Sequence, residues 1–148
     1  MKKNYITLVI LFLIVVAIIS YFFISYIKLD NQAKQLNREF ESKCESEIVG
    51  STLMTTINKA IDYNEKNEIE KDSKGSFIAN ETNSINIDIK FLESDKVFPM
   101  EAIASLGSEE FVKNYNSRTF KCSKKEYHNL TGQIKYMYFE EVDILENN

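Results

Sequence analysis

Residues 6–27 contain no charged residue, no Pro and no Gly, and that run constrains everything else about the chain. Ile, Leu, Val and Phe fill most of it. In hydrocarbon, a backbone over such a run satisfies its own N–H and C=O groups only as a helix. From Tyr5 to Tyr26 a helix rises about 31 Å at 1.5 Å per residue, close to the ~30 Å of a hydrocarbon core. The expectation is one transmembrane helix over 6–27, preceded by a short basic tail at 1–5. Lys2, Lys3 and Tyr5 on one side, and Tyr21, Tyr26 and Lys28 on the other, are the expected interface anchors, since Tyr rings and Lys stems favour the headgroup level.

A cleaved signal peptide would have an apolar region of roughly 7–15 residues and small residues at the cleavage site. This run is longer, and Tyr, Phe and Ile stand where cleavage would fall. No Cys closes it, so no lipoprotein-type attachment is expected. A buried core helix would need cover on every side, and the rest of the chain is too small to supply it. The Lys and Arg of the two flanks nearly balance, but a tiny basic tail before a first span favours an inside N-terminus. Residues 28–148 are therefore expected outside the cytoplasm as a single domain. The Lys-, Asn- and Ile-rich usage suggests an AT-rich bacterial genome, which makes the expected location a bacterial cell membrane.

Charge narrows the partners. Of the 18 Lys and Arg, two precede residue 28, and none of the 22 acids does, so residues 28–148 carry a net charge of −6. Phosphate recognition needs clustered Lys and Arg, and there is no basic stripe, which argues against nucleic acid.

The expected fold class is α+β: the transmembrane helix continues as an amphipathic helix, followed by a small antiparallel β-sheet with short helices. Leu29, Ala33, Leu36, Phe40, Cys44 and Ile48 recur at steps of three and four. A second helix follows Gly50, with Leu53, Ile57, Ala60 and Ile61 on its apolar face and Ser51 as a candidate cap. Residues 62–76 read as a polar connection with a short strand near Ile69, and 77–79 as another short strand. Ile85, Ile87, Ile89 and Phe91 alternate with polar residues, the pattern of a strand covered on one face. Pro99 opens a short helix with Met100, Ile103 and Leu106 inward and Gly107 at its end. Ser108 is placed to cap another helix, which carries Phe111, Val112 and Tyr115. Residues 119–128 and 133–142 form a hairpin across Asn129-Leu130-Thr131-Gly132. The glycosylation-type triplets Asn80-Glu81-Thr82 and Asn129-Leu130-Thr131 read as turns.

Chemistry-bearing motifs are sparse. Cys44 and Cys122 are either a disulfide, which an extracytoplasmic location permits and which would contribute roughly 4 kcal/mol through loop closure, or two buried free thiols. Two Cys and one His do not readily make a tetrahedral metal site, so no metal is expected. His128 reads as a surface hydrogen-bonding residue beside a turn. Glu109-Glu110 and Glu140-Glu141 are adjacent, so their side chains point to different faces and read as solvated rather than as an acid–base pair. No nucleophile-elbow, zincin or phosphate-loop string occurs, and no catalytic residue or cofactor is expected. Tyr127, Tyr136 and Tyr138 belong to an aromatic-rich hairpin. They read as ordinary strand residues or as an exposed surface for a protein partner.

A basic tip, an apolar helix running on as an amphipathic one and then a small sheet resembles the type IV pilins and pseudopilins. Locally, Ile6-Thr7-Leu8-Val9 and Leu13-Ile14-Val15-Val16-Ala17-Ile18-Ile19 look like the family's Phe-Thr-Leu-Ile and Leu-Ile-Val-Val-Ala-Ile-Ile. The likeness covers the first 20 or so residues and the overall layout. The chain departs from the family pattern at Lys3-Asn4-Tyr5, where a processing Gly would stand, and at Ile10, where an early Glu would stand. The resemblance therefore implies an atypical or minor member. The expected function is a single-pass, non-enzymatic membrane protein working through protein–protein contact, with the bilayer and a protein partner or a second copy through the helix as its partners. The alternative is a membrane-tethered ligand-binding or sensing module, which requires an enclosed pocket between the sheet and the helices at 99–115.

Overall fold

The computed structural model describes residues 2–143, with side chains from Tyr5 onward. The side chains of Lys2 and Lys3 lie outside the described residues. The chain divides into two compact units, Met1–Gln35 and Leu36–Asn148. The architecture is α+β: a long N-terminal apolar helix, then a five-stranded sheet with short helices.

Helix α1 spans Lys2–Glu41. Within the first unit its large apolar side chains, such as Leu8, Phe12, Ile19 and Phe23, are all exposed, with no protein against them. The helix is long and apolar enough to cross a membrane. The basic tail is itself helical from Lys2.

The second unit starts with the last turns of α1. The helix stops at Glu41, not near Ile48. The Lys43 and Cys44 N–H groups turn back to the carbonyls of Phe40 and Glu41 at 3.0 and 2.8 Å, and Ser42 Oγ bonds the Glu39 carbonyl. Cys44 thus lies in a turn and Ile48 in strand β1 (Ile48–Val49), although both kept helical spacing in sequence. Leu36 and Phe40 do face the core.

Helix α2 (Gly50–Lys66) follows directly. Leu53, Ile57 and Ala60 are fully buried, and Met54 and Asn64 join them. Val49, in extended conformation, is the residue before the helix. Ser51 is inside it, its carbonyl accepting from Thr55 Oγ1, so it caps nothing. Neither expected strand at Ile69 or 77–79 forms. Ile69 is tucked under the end of α2 by an N–H bond to the Asn64 carbonyl (3.0 Å), and Phe77 makes only a single bridge to Lys71. Asn80–Asn83 is a turn, with Asn80 Oδ1 accepting from the N–H groups of Thr82, Asn83 and Ser84.

Strand β2 (Asn86–Lys90) alternates as its sequence does: Ile87 and Ile89 inside, Asn86, Asp88 and Lys90 outside. It turns into β3 (Val97–Pro99), which carries no periodic signal. Helix α3 (Met100–Ser105) buries Met100 and Ile103 but leaves Leu106 exposed beyond its end. Gly107, at φ 88°, reverses the chain into α4 (Ser108–Tyr115). That backbone conformation is open to Gly and strained for most other residues. Ser108 makes no cap bond; its hydroxyl instead receives Asn58 Nδ2 at 3.1 Å.

Strands β4 (Thr119–Tyr127) and β5 (Ile134–Val142) form the expected hairpin, with irregularities near Ser123 and Lys135. The sheet order is β1-β4-β5-β2-β3. It is mixed rather than antiparallel throughout, because β2 and β5 run parallel. After β2 and β3 the chain crosses through α3 and α4 to the far side of the sheet. There β4 runs back along it, so β5 enters from the same end as β2. Alternation in β2 reports one covered face and is silent on the direction of its neighbour.

Candidate functional site

The sheet has one face packed against the helices and one open. Directly opposed residues share a face, which sorts the candidate tyrosines. Tyr136 and Tyr138 lie opposite Asn86 and Asp88 of β2, and opposite Glu126 and Lys124 of β4. All of these are on the open face. Tyr127 instead opposes Ile134, which is fully buried, and its hydroxyl donates to a Glu41 carboxylate oxygen at the end of α1. The structure therefore brings Tyr136 and Tyr138 together and sets Tyr127 apart on the helix side. Tyr127 directly follows Glu126, so plain alternation along β4 sends it to the packed side, and the irregularity near Lys135 puts Ile134 opposite it.

The open face is organised. Tyr136 Oη donates to Asp88 Oδ2 at 2.9 Å. Lys124 Nζ lies 5.5 Å from the Tyr136 ring centroid and pairs with Glu126 at 2.6 Å. Partial burial, and then the Asp88 carboxylate beside it, push the Tyr136 phenol well above its ordinary range. The Lys124 ammonium holds the Glu126 carboxyl below its ordinary range. Cations Lys90, Lys121 and Lys124 alternate with anions Asp88, Glu126 and Glu140 across the neighbouring strands. Such an alternation leaves this face with little net field.

Cys44 and Cys122 are joined as a disulfide, with their Cα atoms 4.8 Å apart. Both residues are half-buried at the margin of the core. Cys122 opposes Phe139 on the packed face of the sheet.

Two residues read as surface groups in the sequence are buried. Glu141 is 7% exposed; its carboxylate takes Arg118 Nη1 at 2.8 Å and the Leu92 N–H at 3.1 Å. Adjacent acids do point to opposite faces here, but the inward one is paired with a guanidinium rather than solvated. The carboxylate in turn raises the Arg118 pKa further. His128 is 3% exposed, with Nε2 2.8 Å from the Ser84 carbonyl, so it joins two loops instead of sitting on the surface. Glu141 and His128 are thus both committed to structural contacts. Among the described residues, no group of three or more His, Cys, Asp or Glu could hold a metal.

Two asparagines were not legible as important. Asn64, fully buried on α2, donates to the Ile85 carbonyl (2.7 Å) and accepts the Ile85 N–H (2.9 Å). Asn37 on α1 does the same at β5, donating to the Gly132 carbonyl (2.7 Å) and accepting the Ile134 N–H (2.8 Å). Each amide replaces the strand neighbour that the backbone lacks at that point. The only sequence signal is an Asn at a position where the helical period calls for an inward residue.

The volume between the sheet and α3 and α4 is filled. Ile89, Met100, Ile103, Phe111 and Phe120 are each at most 1% exposed there, and the Phe91 ring contacts those of Phe98, Phe111, Tyr115 and Phe120. No protein-family model, curated protein or solved structure matches the chain.

Proposed function

We propose that residues 6–27 cross a bacterial membrane once, that residues 28–148 stand outside the cytoplasm, and that the protein works by protein–protein contact without catalysis. The observation that carries this reading is the apolar surface of α1 within the first unit, where Leu, Ile, Val and Phe side chains meet no protein. Burying a side chain of that size in hydrocarbon is worth about 1.5–3 kcal/mol, so a run of them in water would be untenable. Support for the outward orientation comes from the Cys44–Cys122 disulfide, a bond that persists in oxidising compartments. Support for contact over catalysis comes from Glu141 and His128 being committed to structure. The filled layer between the sheet and α3 and α4 favours contact over the alternative of an enclosed ligand pocket.

Within this reading the protein is a pilin-like component of a surface or secretion apparatus, and the partner is another protein or a second copy met through the apolar helix. The paired tyrosines Tyr136 and Tyr138 are the part of the open face offered to such a partner, with Tyr127 excluded from it. Crosslinking in intact membranes followed by mass spectrometry tests the contact. Recurrent crosslinks to one partner or to a second copy are expected, and a protein always recovered alone would refute it. Labelling Cys44 and Cys122 in whole cells with a membrane-impermeant thiol reagent tests the orientation. Labelling is expected only after reductant; labelling that requires cell lysis would reverse the topology.

A further inference from the structure

The outer edge of β4 is guarded unequally. This nine-residue strand pairs along its inner edge with β5, but β1 covers only Thr119 and Phe120 on its outer edge. Beyond them sits Cys44, whose Cα is 4.8 Å from that of Cys122. Directly opposed residues of antiparallel neighbours lie about 4.5–5.5 Å apart. The crosslink therefore pins one residue of the 42–47 turn in the place of a missing strand.

Little else holds that segment. Glu45, Ser46 and Glu47 are exposed, and Cys44 and Cys122 are themselves half-buried. Its noncovalent anchors are short-range turn bonds back to the end of α1 (Ser42, Lys43 and Cys44 N–H to the Arg38, Phe40 and Glu41 carbonyls at 3.1, 3.0 and 2.8 Å, and Ser42 Oγ to the Glu39 carbonyl), the two-residue β1 pairing with Ile48 inside, and the Gly50 N–H to the Arg118 carbonyl (3.1 Å). The fully buried core residues lie mainly on α2, β2 and β5 (Leu53, Ile87, Met137 and Phe139 among them) and on α3 and α4; Phe120 of β4, opposite Ile48, is the one that the segment adjoins, and neither cysteine is fully buried.

We infer that the Cys44–Cys122 crosslink is a redox latch on the edge of the sheet: opening it releases residues 42–49 and bares β4 while the rest of the domain stays folded. The co-reactant is a dithiol. One of its thiolates attacks a protein Sγ, the Sγ–Sγ bond breaks, and the other Sγ leaves as a thiolate that takes up a proton. The second thiol of the reagent then displaces the first Sγ. The protein gains two electrons and two protons, and the dithiol becomes a cyclic disulfide. The freed strand would present an unpaired row of N–H and C=O groups, the kind of template that accepts an added strand.

Hydrogen exchange on the full chain in detergent micelles, oxidised and after dithiothreitol, tests this. Exchange across 42–49 and 119–123 is expected to rise about tenfold or more, while amides of Ile87, Ile89, Met137 and Phe139 stay within about threefold. The Cys44→Ser/Cys122→Ser variant should show the reduced pattern without any reductant. A uniform rise across the sheet would overturn the latch, because the crosslink would then hold the whole fold. Unchanged exchange at 42–49 after complete reduction would overturn it too, because packing alone would hold the segment. A crosslink that resists the dithiol while the domain is folded would equally refute it.

Discussion

The two ends of the sheet solve one problem in different ways. Where β2 and β5 begin, backbone groups without strand neighbours are met by the neutral amides of Asn64 and Asn37. Where those strands finish, the Leu92 N–H is met by the Glu141 carboxylate, which then needs Arg118. A neutral amide both donates and accepts, so one side chain closes a pair of backbone groups. A carboxylate only accepts, and once buried it requires a cation as well. The asparagine end is therefore self-contained, and the charged end depends on α4 and the Arg118 loop staying where they are.

That contrast orders the expected damage. The largest effect belongs to Gly50, whose N–H bonds the Arg118 carbonyl and which packs under the end of α4. A Cβ there would meet the Tyr115 carbonyl oxygen at 2.0 Å, a backbone atom that cannot swing aside. Gly50→Ala should cost on the order of 4 kcal/mol, read from urea unfolding by circular dichroism. A loss below about 1 kcal/mol would mean that α4 moves freely and that the charged end is not rigid.

Arg118→Met comes next. It strands a buried carboxylate and should cost about 3 kcal/mol, of which Arg118→Met/Glu141→Gln should recover more than half. If the double variant is no better than the single, the guanidinium acts through its contact with the Tyr115 ring and not through charge.

At the other end, Asn64→Ala should cost about 2 kcal/mol and Asn37→Ala about 1 kcal/mol, because Asn64 is fully buried and Asn37 is not. Equal losses, measured as shifts in thermal midpoint, would mean that burial does not set the strength of these clamps.

The smallest effect is on the open face. The Tyr136 phenol is raised above its ordinary value near 10 by burial and by Asp88. Its contribution is fully present below pH 10 and is lost as pH climbs through the folded value. Tyr136→Phe should flatten the alkaline limb of stability above about pH 10 and leave neutral stability within about 1 kcal/mol. An unchanged alkaline limb would show that the Asp88 bond is not made in solution.

The parts legible in the sequence are those where one period runs unbroken: the apolar run of α1, the Leu53-Ile57-Ala60 face of α2, the isoleucines around β2 and the β4–β5 hairpin. Where two signals compete, the pattern misleads. Cys44 and Ile48 keep helical spacing, but Ile48 pairs with Phe120 and the helix gives way. Val97–Pro99 is too short to show a period. Asn37, Asn64 and Glu141 share a different obstacle: polar residues are usually outside, and only tertiary structure supplies the backbone group or counter-ion that makes burial affordable. Leu106 is the converse, an apolar residue carried past the end of its helix.

The position of β5 bears on how the chain is made. Of the described strands it is the last in sequence, yet it stands between β4 and β2 and touches both along most of its length. During synthesis, β1, β2, β3 and β4 are all complete while the centre of the sheet is still in the ribosome. Until it emerges, β2 and β4 each lack the neighbour that β5 supplies. Assembly of the sheet is a closing event set by β5, not a gradual accretion from β1 onward.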